Sequence, residues 1–249
     1  MRKFILSISI LFIFYTNLIS GTEFSAMTLN AQNLFDTIDD IKKDDKAYLP
    51  IELKQSEKHI KSCNRINVKT WREECLHLDW DNETKDFKLA SLVKNIISYD
   101  KRGPDILALQ EVENINILRE LFTLLQPYGY VDYKLLESKD YRGIDTAFIS
   151  RFKMSDPRLH YITFSGEFED KDTRPILEVT IKIGDQNITI YNVHFPAGYH
   201  DVSMRIDSLN LLKSLLESHS NPAIALGDFN VNSTEDNKYK IYQSQEDKW

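Results

Sequence analysis

Positive charge is what this chain is short of. In its 249 residues, 31 Lys and Arg stand against 38 Asp and Glu, a formal net charge of −7. Such a chain has no global field to hold a polyanion, which excludes tight nonspecific binding to nucleic acid. A phosphate-bearing substrate would have to be held locally, by a cation or by a few Arg and Lys side chains. Cysteine is scarcer still: Cys63 and Cys75 are the two in the sequence. A zinc site built on them would need further ligands, for which only His59 and His77 offer themselves nearby. The apolar run at residues 4–15 is short for a membrane span.

What is present is an ordinary globular composition, 42% hydrophobic and 28% charged, long enough for one large α/β or β-sandwich core. Arg2 and Lys3, the apolar run and then the small residues Ser20 and Gly21 have the layout of a secretory signal peptide over residues 1–21. Residues 22–249 then form one domain, exported to a periplasm or secreted, with no membrane span after cleavage. Loss of Arg2 and Lys3 takes the net charge from −7 to −9. In an exported chain Cys63 and Cys75 are expected to pair, closing a loop worth about 2–4 kcal/mol. Oligomeric state leaves no trace.

Hydrophobic periodicity orders the rest. A first strand over residues 24–30 ends at Asn30. Residues 37–86 dissolve into mixed charge and read as a long, solvated surface insertion stapled by the cysteine pair. A helix is expected over residues 87–99 behind Asp86 as its cap, and another over residues 112–125. Between them, residues 105–113 form a strand too apolar to be exposed on either face. Hairpin strands follow around residues 133–136, 145–150, 152–164, 176–183 and 187–194, with a turn at Gly184-Asp185. A helix over residues 204–218 precedes the strand 223–228. Helices between apolar strands at both ends, with meanders in the middle, predict two packed sheets clad by helices.

The chemistry-bearing residues gather at strand ends. Asp228 and Asn230, two apart after Gly227, share a face and suit a hard cation and a phosphate-bound nucleophile. Glu111 ends a buried run, where a carboxylate is costly unless something positive pairs with it. His194 closes an alternating strand. Arg174 carries a planar fork able to grip a phosphate, and Asp145 either orients His194 or caps its own turn.

Five blocks in order resemble one family: Leu29-Asn30-Ala31-Gln32-Asn33-Leu34-Phe35-Asp36; Pro104-Asp105-Ile106 with Gln110-Glu111-Val112-Glu113-Asn114; Arg142-Gly143-Ile144-Asp145; Asn192-Val193-His194; and Gly227-Asp228-Phe229-Asn230. They resemble the endonuclease/exonuclease/phosphatase superfamily, deoxyribonuclease-like, in an exported bacterial branch. That resemblance implies a four-layered α/β sandwich of two mainly antiparallel β-sheets flanked by helices. It also implies a divalent cation, usually Mg2+ or else Mn2+ or Ca2+, and hydrolysis of nucleic acid or another phosphodiester. Glu111 matches the metal-binding glutamate and Asn30 the amide beside it. Asp228 and Asn230 match the pair that positions the attacking water and the phosphate. His194 matches the histidine that contacts the scissile phosphate or protonates the leaving oxygen, and Arg174 and Tyr141 match phosphate-side residues. The family pattern continues past the Gly-Asp-x-Asn strand to further strands and an Asp-His block that this sequence does not contain. The expectation is a C-terminally truncated member lacking its last strands, weak or inactive. The alternatives are a lipid phosphodiesterase or phosphatase of the same family, or a non-catalytic binding module.

Overall fold

The computed structural model describes residues 23–241; the expected signal peptide lies outside the described residues. The strands are β1 (Ala26–Leu34), β2 (Ile106–Val112), β3 (Asp132–Leu135), β4 (Asp145–Ser150), β5 (Met154–His160), β6 (Ile176–Ile183), β7 (Gln186–His194) and β8 (Ala223–Asp228). The helices are α1 (Glu57–Cys63), α2 (Lys69–His77), α3 (Asn82–Ser98), α4 (Ile115–Leu125), α5 (Val202–Glu217) and α6 (Ser233–Tyr239). Two four-stranded sheets result, in the orders β1-β2-β4-β3 and β5-β6-β7-β8. Each holds one parallel pair, β1 with β2 and β7 with β8, and is otherwise antiparallel.

Period-two alternation explains the layers. In β2, Ile106 and Ala108 face the second sheet and join Leu177, Val179 and Ile190 in a central core. Leu107 and Leu109 point the other way, under Leu92 and Ile96 of α3 and Leu118 and Leu121 of α4. In β7, Tyr191 and Val193 pack outward against Met204, Leu209 and Leu212 of α5. The order helix, sheet, sheet, helix is the expected four-layered sandwich, and β2 is apolar throughout because both of its faces are covered.

One polar link crosses the central layer. Parity places Gln110 and Asn192 face to face, and Gln110 Nε2 donates to Asn192 Oδ1 at 2.7 Å. Asn192 Nδ2 donates in turn to Leu109 O and Ala147 O, both at 2.9 Å. Both side chains are buried, so the link fixes how the sheets register.

Local chemistry moves two helix starts. The side chain of Asp81, not Asp86, caps α3 by accepting from Thr84 N–H, so the helix begins at Asn82. Likewise α4 begins at Ile115, because Asn114 Oδ1 accepts from the N–H groups of Asn116 and Ile117 at 2.8 and 3.1 Å. The larger correction concerns residues 37–86, which are built rather than loose. They contain α1 and α2, joined by the expected Cys63–Cys75 disulfide. His59 Nε2 bonds Cys75 O at 2.9 Å, and both sulfurs are consumed by each other, which removes the zinc alternative. A small aromatic core of Phe35, Tyr48 and Trp80 anchors the insertion to the domain. Nor are its charges merely solvated. Lys54 is 2% exposed, donates to Ala47 O at 2.7 Å and Leu78 O at 2.5 Å, and burial pulls its pKa down to about 8. Asp36 and Asp45 are buried as well.

Candidate active site

The carboxyl ends of the two parallel strand pairs meet, and bulges aim the side chains there. Strict alternation would put residue 111 beneath the helices with Leu107 and Leu109. The β2–β4 register instead shifts between Gln110 and Val112, Glu111 takes φ 61°, and Val112 occupies the helix-facing core. Glu111 is thereby turned out of the apolar layer. β1 does the same between Asn30 and Leu34, with Gln32 and Asn33 at φ 54° and 61°. On β8, Asn230 follows at φ 51°. Four non-glycine residues in left-handed backbone around one point is a concentration of strain typical of functional sites. Gly227 has a different cause: at φ +135° a Cβ would lie 2.1 Å from Val193 O, so only glycine lets β8 approach β7 so closely.

The resulting network is continuous. Asn30 Nδ2 lies between the two carboxylates, donating to Glu111 Oε1 at 3.2 Å and to Asp228 Oδ2 at 3.3 Å. Its own Oδ1 accepts from Gln32 N–H at 2.8 Å. Asn33 N–H donates to Glu111 Oε2 at 3.0 Å, and Asn230 N–H to Asp228 Oδ1 at 3.0 Å. Asn230 Nδ2 is held by Phe195 O at 2.9 Å. His194 Nε2 stands 3.7 Å from Glu111 Oε1, and its Nδ1 is buried without a partner among the described residues. Burial first, then the Arg174 and Arg142 guanidiniums, push its pKa down to about 3, so His194 is neutral at physiological pH. A neutral imidazole donates one hydrogen bond but is no reservoir of protons.

Arg174 is nearly buried. Its Nη2 donates to Phe195 O at 3.3 Å, Asp140 stands 3.9 Å from Nη1, and its Nε has no partner among the described residues. Two other candidates sit apart from this network. Asp145 accepts from Ser138 N–H with both oxygens at 3.2 Å, and burial raises its pKa to about 6. It holds its own loop closed and, among the described residues, makes no hydrogen bond or ion pair with His194, so the capping alternative is the observed one. Tyr141 is 67% exposed and contributes its carbonyl, which accepts from Asp44 N–H at 2.9 Å.

Sequence reasoning missed Asn33, whose backbone orients Glu111, and Lys88, whose Nζ donates to Gln32 O at 3.0 Å beside the site. It also gave no role to Arg142, although the Arg-Gly-Ile-Asp block singled that residue out. For a cation, Glu111 and Asp228 supply hard carboxylate oxygens within one amide of each other. Magnesium takes such a donor set, with one or two carboxylates and the remaining positions left to water and phosphate. The residues present fit that ion.

A search of curated proteins gives no match. Among solved structures, a family protein from Leptotrichia buccalis C-1013-b is 22% identical, with 67% of this chain and 69% of that one covered and a TM-score of 0.48. The human Nocturnin catalytic domain with bound sulfate is 23% identical over 62% of this chain and 59% of its own, TM-score 0.46. Beta toxin from Staphylococcus aureus, a double mutant with bound magnesium ions, is 16% identical over 63% and 62%, TM-score 0.49. The chain thus spans roughly three fifths to two thirds of these neighbours' lengths. The sequence profile of one family covers residues 77–246, from the end of α2 through β8 and beyond. With most of the chain matched, and with Glu111, His194 and Asp228 all inside the matched region, the protein belongs to the endonuclease/exonuclease/phosphatase family.

Proposed function

We propose that the protein is a divalent-metal-dependent phosphohydrolase that cleaves phosphodiester bonds in the manner of an endonuclease. The observation that carries this reading is the Glu111–Asn30–Asp228 bridge, with neutral His194 beside it, at the meeting point of two parallel strand pairs. Membership of a family of metal-dependent phosphodiesterases and phosphatases supports the reaction class.

Glu111 and, within one amide, Asp228 would hold the cation, which offsets charge on non-bridging phosphate oxygens. Asp228 orients the attacking water. Asn230, fixed by Phe195 O, and neutral His194 offer hydrogen-bond donors to the oxygens that gain charge in the transition state. Arg174 adds a guanidinium whose Nε is free to bond. Neutral His194 offers the leaving oxygen a hydrogen bond rather than a stored proton, and a proton-transfer group is worth about 10²–10⁴-fold, so slow turnover is expected. The Cys63–Cys75 disulfide supports work in an oxidising compartment, periplasmic or secreted, and no helix among the described residues is long and apolar enough to cross a membrane.

The test is hydrolysis of bis(4-nitrophenyl) phosphate, of single-stranded DNA and of a lipid phosphodiester, each with magnesium and with EDTA. Magnesium-dependent turnover is expected, with Glu111→Gln and Asp228→Asn each lowering it by about 10²-fold or more at unchanged Tm. No turnover in either condition leaves a non-catalytic binding module. Cleavage of lipid diesters alone leaves the lipid phosphodiesterase alternative.

A further inference from the structure

A cavity of about 620 Å³ opens between the disulfide-linked insertion and the tips of the site strands. Asn33, whose N–H holds Glu111 Oε2, is part of its wall, so the cavity adjoins the carboxylate network. Its volume falls in the range of small-molecule sites.

Two kinds of group in its walls are only partly engaged by the fold. The first is positive charge. Arg142 and Arg174 both line the cavity; burial first, and then repulsion by Arg142, lowers the Arg174 pKa. The ion-pair partner of Arg174 is Asp140, at 3.9 Å. The Arg142 guanidinium makes no ion pair or hydrogen bond among the described residues. The second is exposed aromatic surface: Trp71 on α2 and Tyr199 in the loop after β7 are 56% and 78% exposed, with Tyr199 leaning on the His200 ring at 4.3 Å between centroids. Neither belongs to a core cluster, and α2 buries only Cys75. The Tyr199 loop is nonetheless fixed from beneath, because buried Arg205 donates to Ala197 O at 2.9 Å and His200 O at 3.2 Å.

Resting on the phosphohydrolase reading, we propose that this cavity receives one unpaired nucleotide next to the cleaved diester, its base against Trp71 and Tyr199 and its phosphate on Arg142 and Arg174. Electrostatics set the polarity. On the insertion side Asp44 is already paired with Lys46, while Glu74 repels phosphate from that wall; the phosphate end therefore lies toward the two arginines. A base within a duplex has its faces covered by neighbours and cannot stack on a side chain, and the chain has no positive field to hold a duplex. Single strands or short oligonucleotides are thus the substrate class.

Fluorescence anisotropy in EDTA, where no bond is cut, tests this with a labelled single-stranded tetrathymidylate, the same tetramer made abasic, and a labelled duplex. The tetrathymidylate should bind about tenfold more tightly than the abasic tetramer, the scale of one base–aromatic stack. Trp71→Ala and Tyr199→Ala should each reduce that preference at unchanged Tm, and Arg142→Gln should weaken both tetramers alike. Equal binding of the two tetramers, tighter binding of the duplex, or indifference to Trp71→Ala overturns the proposal. Magnesium-dependent turnover is read separately. Turnover without a base preference sinks the cavity assignment alone, and a base preference without turnover sinks the hydrolase reading alone.

Discussion

The two strands that deliver the site carboxylates, β2 and β8, look alike in sequence and differ in surroundings. Each is a short apolar run ending in an acid. β2 lies between β1 and β4, is covered on both faces, and is buried along almost its whole length. β8 pairs with β7 alone among the described residues and is half-buried at every position. A sheet-centre strand is held by two ladders and two packed faces, whereas an edge strand has one ladder and depends on how closely that single neighbour approaches. Glu111 is therefore aimed by a bulge within a rigid frame, and Asp228 by one tight contact at Gly227.

Breaking that contact has the largest expected effect. Gly227→Ala drives a Cβ to within 2.1 Å of Val193 O and should cost roughly 4 kcal/mol or more, read by chemical denaturation. A variant as stable as the parent would mean that β8 is free to move off β7 and that Gly227 does not fix Asp228. Next in size is Asn192→Ala, which removes a buried link between the sheets: Gln110 Nε2 loses its acceptor across the layer and keeps Ala108 O at 3.1 Å, while Leu109 O and Ala147 O lose the Asn192 donor. It should cost roughly 3 kcal/mol and lower activity together with stability, since Glu111 and Asp228 sit on opposite sheets.

The smallest effect probes the β2 side through pH. Glu113 is buried beside Asp36, Asp40 and Asp45, and burial first, then these neighbours, raise its pKa to about 9. A carboxyl raised from its ordinary 4.5 to about 9 is held protonated in the folded chain. Its contribution is full below the ordinary value and is lost as pH rises toward the folded value. Tm should fall between pH 5 and pH 9, and Glu113→Gln, which keeps an oxygen to accept from Asp36 N–H, should flatten that fall. An unchanged slope would show that the β2 end carries no such buried acid.

Much of this site could be read along the chain. Asn30, Glu111, His194 and Asp228 each stand at the end of an apolar run, and a run that stops at a polar residue marks a sheet edge whatever the fold. Asp145 was ambiguous for the opposite reason. A carboxylate at a turn is satisfied by whichever donor the loop brings near, and Ser138 N–H arrived first. The helices of the insertion escaped notice because they bury almost nothing: α2 turns a single cysteine inward, so no 3.6-residue stripe is written into it.

Composition and periodicity alone determined two packed sheets clad by helices, the strand positions that carry the motifs and the cysteine pair, because burying alternate side chains leaves few other arrangements. The tertiary structure decided where the side chains at the strand tips point and what encloses them. A bulge is set by the partner strand's register, not by the residue that bulges, so no local pattern announces that Glu111 leaves its expected face. The Arg142 and Arg174 pair beside an aromatic cavity joins segments far apart in the chain, and their charges meet only once the sheets have packed.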